Sequence, residues 1–189
     1  MISKVVIDNK FIEEWSPQYD EAGIGDDYAE YDSIRLQVSK EVSNGTISKP
    51  TFIRILDWKA PRVKGKIKGD FEYYADGFRL ALQSPEERRL AVLDDLQGIG
   101  VPVASTILHF IYPSVFSIMD VRVTEALFYS GYLKAKLRSQ NNYANYRRVI
   151  LNLVQLHKCS TRELDKALFA YHKKELEPSI KKGKTCLEQ

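Results

Sequence analysis

Leu96-Gln97-Gly98-Ile99-Gly100-Val101-Pro102-Val103-Ala104-Ser105 is the stretch that decides how this 189-residue chain folds. An apolar helix face (Leu90, Leu93, Leu96) runs into Gly-Ile-Gly, and a second one (Val103, Ala104, Ile107, Leu108, Ile111) begins directly after it. Two helices therefore meet across a connection too short for anything but a tight hairpin. Gly98 and Gly100 permit positive φ and the close approach of another backbone. Ile99 between them is placed to pin the turn to a core. The amides of Gly100, Val101 and Val103 then face outward at the start of the second helix, where Pro102 lacks only a donor that a first turn does not need. Exposed amides backed by a helix dipole make a phosphate site. The plainer alternative is an αα-hairpin that merely turns the chain.

Outward from the hairpin, helix signals recur and strand signals are sparse. Tyr31, Ile34, Val38 and Val42 form one apolar face, stopped by Asn44-Gly45. Phe52, Ile55 and Leu56 predict a short helix running to Trp58 and ended by Pro61. Asp70 reads as an N-cap before Phe71, Tyr74, Phe78 and Ala81. Ser84-Pro85-Glu86-Glu87 and Ser160-Thr161-Arg162-Glu163 both read as capping boxes. Asp120 opens a helix with Val123, Ala126 and Leu127 inward; Tyr143, Tyr146, Ile150 and Val154 mark another, and Leu164, Leu168 and Tyr171 a third. Val5-Val6-Ile7 is the one strand-like run, and a lone strand would have no partner. The acidic segment 11–30 reads as irregular chain or short helices. The expected fold class is all-α.

Composition narrows the function classes. No run of eighteen apolar residues exists, and the N-terminus lacks a signal peptide's apolar stretch, so the reading expects a cytoplasmic protein that does not span a membrane. Cys159 and Cys186 are the only cysteines and His109, His157 and His172 are scattered, which excludes a four-cysteine zinc or iron–sulfur site and predicts no metal. Residues 1–32 hold nine acids against two bases, a balance of −7, so the remainder carries +10 of the net +3. The densest basic run is Lys59, Arg62, Lys64, Lys66 and Lys68, with no acid between Asp57 and Asp70. Such a patch suits phosphate attraction, or is simply a solvated loop.

The order Leu-x-Gly-Ile-Gly, apolar helix, Tyr112-Pro113, Phe116-Ser117-Ile118-Met119, Asp120 and Val123 resembles the helix-hairpin-helix DNA glycosylases. The likeness covers residues 84–130, with Gln97 where the family usually has proline. It implies a two-lobed helical protein that binds duplex DNA through the hairpin, with Asp120 as the catalytic carboxylate beside C1′. It implies no cofactor, leaving open a monovalent cation at the hairpin. Bifunctional members carry a lysine where this chain has Pro102, so the implied chemistry is hydrolytic and monofunctional, acting on a damaged or modified base.

The resemblance also sets the expected organisation: one glycosylase-like domain over 1–175, a hairpin lobe of about 46–138, a second lobe from 1–45 and 139–175, and a disordered Lys-rich tail over 176–189. Its DNA-binding residues would be Gly98, Gly100, Val101, Val103, Lys59, Arg62, Lys64 and Arg122. Trp58, Tyr73 and Tyr74 are candidates for the base pocket, each with a core role as the alternative, and His109 reads as a packed helix residue. Asp120 has an N-cap role available as well, compatible with catalysis. The protein is expected to be a monomer. Two other classes stay open: a non-catalytic helix-hairpin-helix DNA-binding module, and a structural or interaction protein that kept only the fold.

Overall fold

The computed structural model describes residues 4–20 and 28–185. Among them the chain is all-helical: α1 (Asn9–Trp15), α2 (Tyr28–Val42), α3 (Lys49–Lys59), α4 (Phe71–Gln83), α5 (Glu86–Asp94), α6 (Val101–Ile111), α7 (Val121–Tyr129), α8 (Gln140–His157), α9 (Thr161–Tyr171) and α10 (Glu177–Thr185). Short 3₁₀ turns cover Pro17–Tyr19 and Pro61–Lys66, and a π-helical turn, His172–Leu176, joins α9 to α10. Val5-Val6-Ile7 is irregular; Ile7 is buried and its N–H donates to the Tyr132 hydroxyl at 3.2 Å. Of the acidic N-terminal segment, 21–27 lies outside the described residues.

The chain forms two compact units, one of Met1–Gly25 with Met119–Gln189 and one of Asp26–Ile118. These boundaries differ from the sequence reading at both ends of the hairpin lobe. α2 joins the hairpin unit because its face packs on α3 and α6: Tyr31 stacks near Trp58 and Phe110, with ring centroids 5.7 and 5.1 Å away. α7, and Asp120 with it, joins the other unit because Val123, Ala126 and Leu127 are fully buried and the helix packs on α9.

Local side-chain chemistry accounts for five of the ten described helix starts. Asp8, Asp70, Asp120, Ser48 and Ser160 each accept a backbone N–H of the first turn, and Ser160 with Glu163 completes the reciprocal capping box. Gly45 closes α2 at φ +83°. The box expected at Ser84 does not form. Pro85 caps α5 without a side-chain bond, while the Ser84 hydroxyl donates to Leu80 O at 2.7 Å. α4 ends at Gln83, so its orphan carbonyl reaches that hydroxyl first.

The tail expectation also changes. Residues 177–185 continue as α10, anchored by Leu176 at 1% exposure and by a Glu177–Lys181 pair at 2.7 Å; 186–189 lie outside the described residues. In the hairpin unit the core centres on Phe52, Tyr74 and Phe78. In the other, α9 is central, with Leu164, Ala167, Leu168 and Ala170 fully buried against neighbours that include α1 and α7.

Candidate functional site

The hairpin turn is fixed by Leu96 and Ile99, both buried, and by Ile99 N–H donating to Leu96 O at 2.9 Å. Of the two glycines only Gly98 is left-handed, at φ +81°. A Cβ there would lie 2.6 Å from the Lys66 carbonyl oxygen, so the absence of a side chain lets the basic run seat against the turn. Gly100 is different: it is exposed and extended (φ −115°, ψ 170°), and a Cβ would meet only Pro102 Cδ, at 3.8 Å. Its role is the N-cap of α6, with no side chain to close the first turn. The Val103 amide, expected to face outward, instead donates to Gly100 O at 2.9 Å, as does Ala104. The amides of Gly100 and Val101 donate to no group among the described residues, and the side chains of Val101 and Val103 are buried.

The basic run is a 3₁₀ turn rather than an open loop. Arg62, Lys64, Lys66 and Lys68 are exposed and Lys59, ending α3, is half-buried. Lys64 pairs with Asp57; Arg62, Lys66 and Lys68 pair with no carboxylate among the described residues. Tyr74 ties the two parts together. Its buried hydroxyl donates to Gln97 O at 2.9 Å and accepts the Lys68 N–H at 3.2 Å. Tyr73 stays 47% exposed while its hydroxyl accepts the Gln97 N–H at 3.3 Å. Trp58 is buried against Phe110. Gly98, Gly100, Lys64 and Arg62 thus belong to one continuous feature of the hairpin unit, and Trp58 and Tyr74 support it from within.

Asp120 and Arg122 belong to the other unit. Asp120 is half-buried and caps α7, its Oδ1 accepting the Arg122 N–H at 2.7 Å. Its charge is one of several that act on Tyr146. Burial first, then Asp165, Tyr143 and Asp120, push the Tyr146 phenol well above its usual range. The Arg122 guanidinium sits over the Phe169 ring, 4.9 Å from its centroid, and its buried Nε has no partner among the described residues.

His109 is a packed residue, as the sequence suggests. Its Nδ1 lies 2.8 Å from Phe116 O, which can only accept, so Nδ1 carries a proton; Nε2 lies 2.7 Å from the Tyr31 hydroxyl. Two clusters escaped the sequence reading. Arg162, Asp165 and Lys166 are buried on α9, Arg162 pairing with Asp165 at 2.5 Å and Lys166 with Asp20 at 2.7 Å. His172 is buried in the π turn with Nε2 2.7 Å from Glu125 Oε2. Lys166–Asp20 and His172–Glu125 have no periodic signature, because the partners lie 146 and 47 positions apart, whereas Arg162–Asp165 is an i,i+3 pair on one helix. No group of three His, Cys, Asp or Glu side chains that could hold a metal, and no helix long and apolar enough to cross a membrane, occurs among the described residues. No family model, no curated protein and no solved structure matches the chain.

Proposed function

We propose that the protein binds duplex DNA and is a monofunctional DNA glycosylase of the helix-hairpin-helix type, hydrolysing the N-glycosidic bond of a damaged or modified base. The observation that carries the binding half is the uncapped start of α6 set against unpaired cations. Two unengaged amides, Gly100 and Val101, sit in a turn that packs directly on the backbone of Lys66. Arg62, Lys66 and Lys68 supply mobile positive charge beside fixed donors, the combination that phosphate oxygens favour. Amides and cations of this kind recognise backbone rather than sequence.

The catalytic half rests on the family resemblance around Asp120. The C1′–N bond breaks with its electron pair leaving on the base, and positive charge builds on the deoxyribose ring. A carboxylate stabilises that charge, water adds its oxygen to C1′, and the proton water loses ends on the departed base, giving free base and an intact abasic strand. Pro102 supplies no amine at the hairpin, so no covalent sugar adduct is called for.

A panel of duplexes with single lesions, scored for alkali-labile sites, tests the whole reading. Asp120→Asn keeps the cap, since Asn is nearly as good at that position, and should alter stability by no more than about 1 kcal/mol. It should slow base release by roughly a hundred- to a thousandfold while leaving DNA binding intact. Duplex affinity should fall steeply with added salt, and salt-independent affinity overturns the DNA reading. The capping bond of Asp120 favours one second reading: if DNA binds but no duplex loses a base, the protein is a DNA-binding module in which Asp120 only caps α7.

A further inference from the structure

α7, the π turn and α10 line an open cavity of about 250 Å³ within the unit that contains Asp120. Five of its wall residues are ionisable: Arg122, Glu125, His172, Glu177 and Lys181. Four of them answer one another. Glu125 holds His172 Nε2 at 2.7 Å and lies 3.8 Å from Lys136, and Glu177 holds Lys181 Nζ at 2.7 Å. Arg122 pairs with no carboxylate among the described residues. One face of its guanidinium rests on Phe169, and its buried Nε–H lacks an acceptor. A buried donor without an acceptor is costly, and Arg122 lines the cavity, so an anion that drew the guanidinium towards it would relieve that cost. His172 adds a second orphan on the same wall: its side chain is 5% exposed, and Nδ1 has no partner among the described residues. It also sits in a π turn, a helix distortion that occurs often at functional sites.

We infer that this cavity binds a small organic carboxylate of single negative charge, gripped by the Arg122 guanidinium. The charge count selects the ligand class. Lys136 answers Glu125 and Lys181 answers Glu177, so Arg122, whose field also reaches Glu177, has no carboxylate paired to it, which suits a monoanion. A phosphate monoester would bring a second negative charge towards Glu125 and Glu177. The flat guanidinium fork matches a carboxylate's two oxygens. Val121 and Ile180 supply apolar wall for a short aliphatic body. This site is independent of the DNA reading and stands or falls without it.

Isobutyrate is the probe, titrated at constant ionic strength into the full chain while the arginine Nε–H and backbone amide resonances are followed by NMR. Arg122→Lys, which removes one Nε–H signal, assigns the resonance. The expected result is a saturable shift of the Arg122 Nε–H and of the Val121 and Ile180 amides, with a midpoint of about millimolar, as suits so small a ligand. Inorganic phosphate should shift them less, and Arg122→Gln should abolish saturation in a protein whose remaining spectrum is unchanged. The wild-type titration decides the matter even if that variant folds poorly. No saturable shift up to tens of millimolar overturns the proposal. So does a shift that survives Arg122→Gln, or one produced by duplex DNA and not by isobutyrate.

Discussion

α9 begins at Ser160 with its first turn closed from both sides: the serine hydroxyl accepts Glu163 N–H at 3.1 Å, and the Glu163 carboxylate accepts Ser160 N–H at 2.7 Å. α6 begins at Gly100 with nothing of the kind, and the amides of Gly100 and Val101 stay unengaged. Every helix start presents the same orphan donors. At α9 the chain satisfies them itself and gains stability. At α6 the donors of Gly100 and Val101 stay unanswered among the described residues, and the backbone of Lys66, in the basic run, packs on the same turn. A side-chain cap is absent at α5 and α8 as well, so what sets α6 apart is the basic run seated against its turn.

The sharpest way to break this comparison is at Gly98. Gly98→Ala forces a Cβ into a left-handed residue and to within 2.6 Å of the Lys66 carbonyl. Left-handed strain alone costs about 1–2 kcal/mol, and moving the basic run away adds to it, so urea unfolding should show a loss of about 2–4 kcal/mol. A variant as stable as wild type would mean that the turn does not hold the basic run in place.

Gly100→Asp sharpens the comparison by turning the start of α6 into one like α9. The backbone there is extended and the space open, so the aspartate should cap α6 and raise stability by a few tenths of a kcal/mol. Duplex affinity should nonetheless fall about tenfold, since charge and cap both oppose a phosphate at those amides. Gly100→Ser caps without charge and should fall in between. Unchanged binding in both variants would remove the α6 start from the DNA interface.

The smallest effect belongs to α9. Ser160→Ala should cost about 1 kcal/mol and leave DNA affinity unaltered. The Ser160 N–H and hydroxyl hold the Glu163 carboxyl below its usual range. With the folded value depressed, the stability it adds is complete above the ordinary carboxylate pKa of about 4.3 and fades as pH falls through the folded value. Ser160→Ala keeps the backbone N–H, the larger cause, and should flatten that part of the acid-stability curve only partly.

Ser160 and Ser84 also show what could be read from sequence. Both precede a glutamate by three positions, yet only Ser160 forms the box. Ser84 follows α4 at once, and the local pattern does not say which neighbouring helix will claim the hydroxyl. The buried faces of α2 to α9 were legible because apolar periodicity reports which side of a helix is dry. Gly98 and Gly100 were legible as a pair but not as individuals, since the close approach that excludes a Cβ at Gly98 comes from Lys66, thirty-odd positions away. Arg122 was legible only as a cation near Asp120. Its place over Phe169 depends on how α7 packs on α9, and its place beside Lys181 on how α9 continues into α10.

That continuation passes through His172–Leu176, where the backbone takes a wider turn than an α-helix does. Each residue of a helix advances its neighbours by about 100° and about 1.5 Å. Removing a single residue from this turn would therefore swing Ile180 and Lys181 away from Arg122 while leaving every side chain chemically unchanged. Here chain length acts as an information-bearing quantity: substitutions edit what the wall is made of, but only an insertion or deletion changes which residues are the wall.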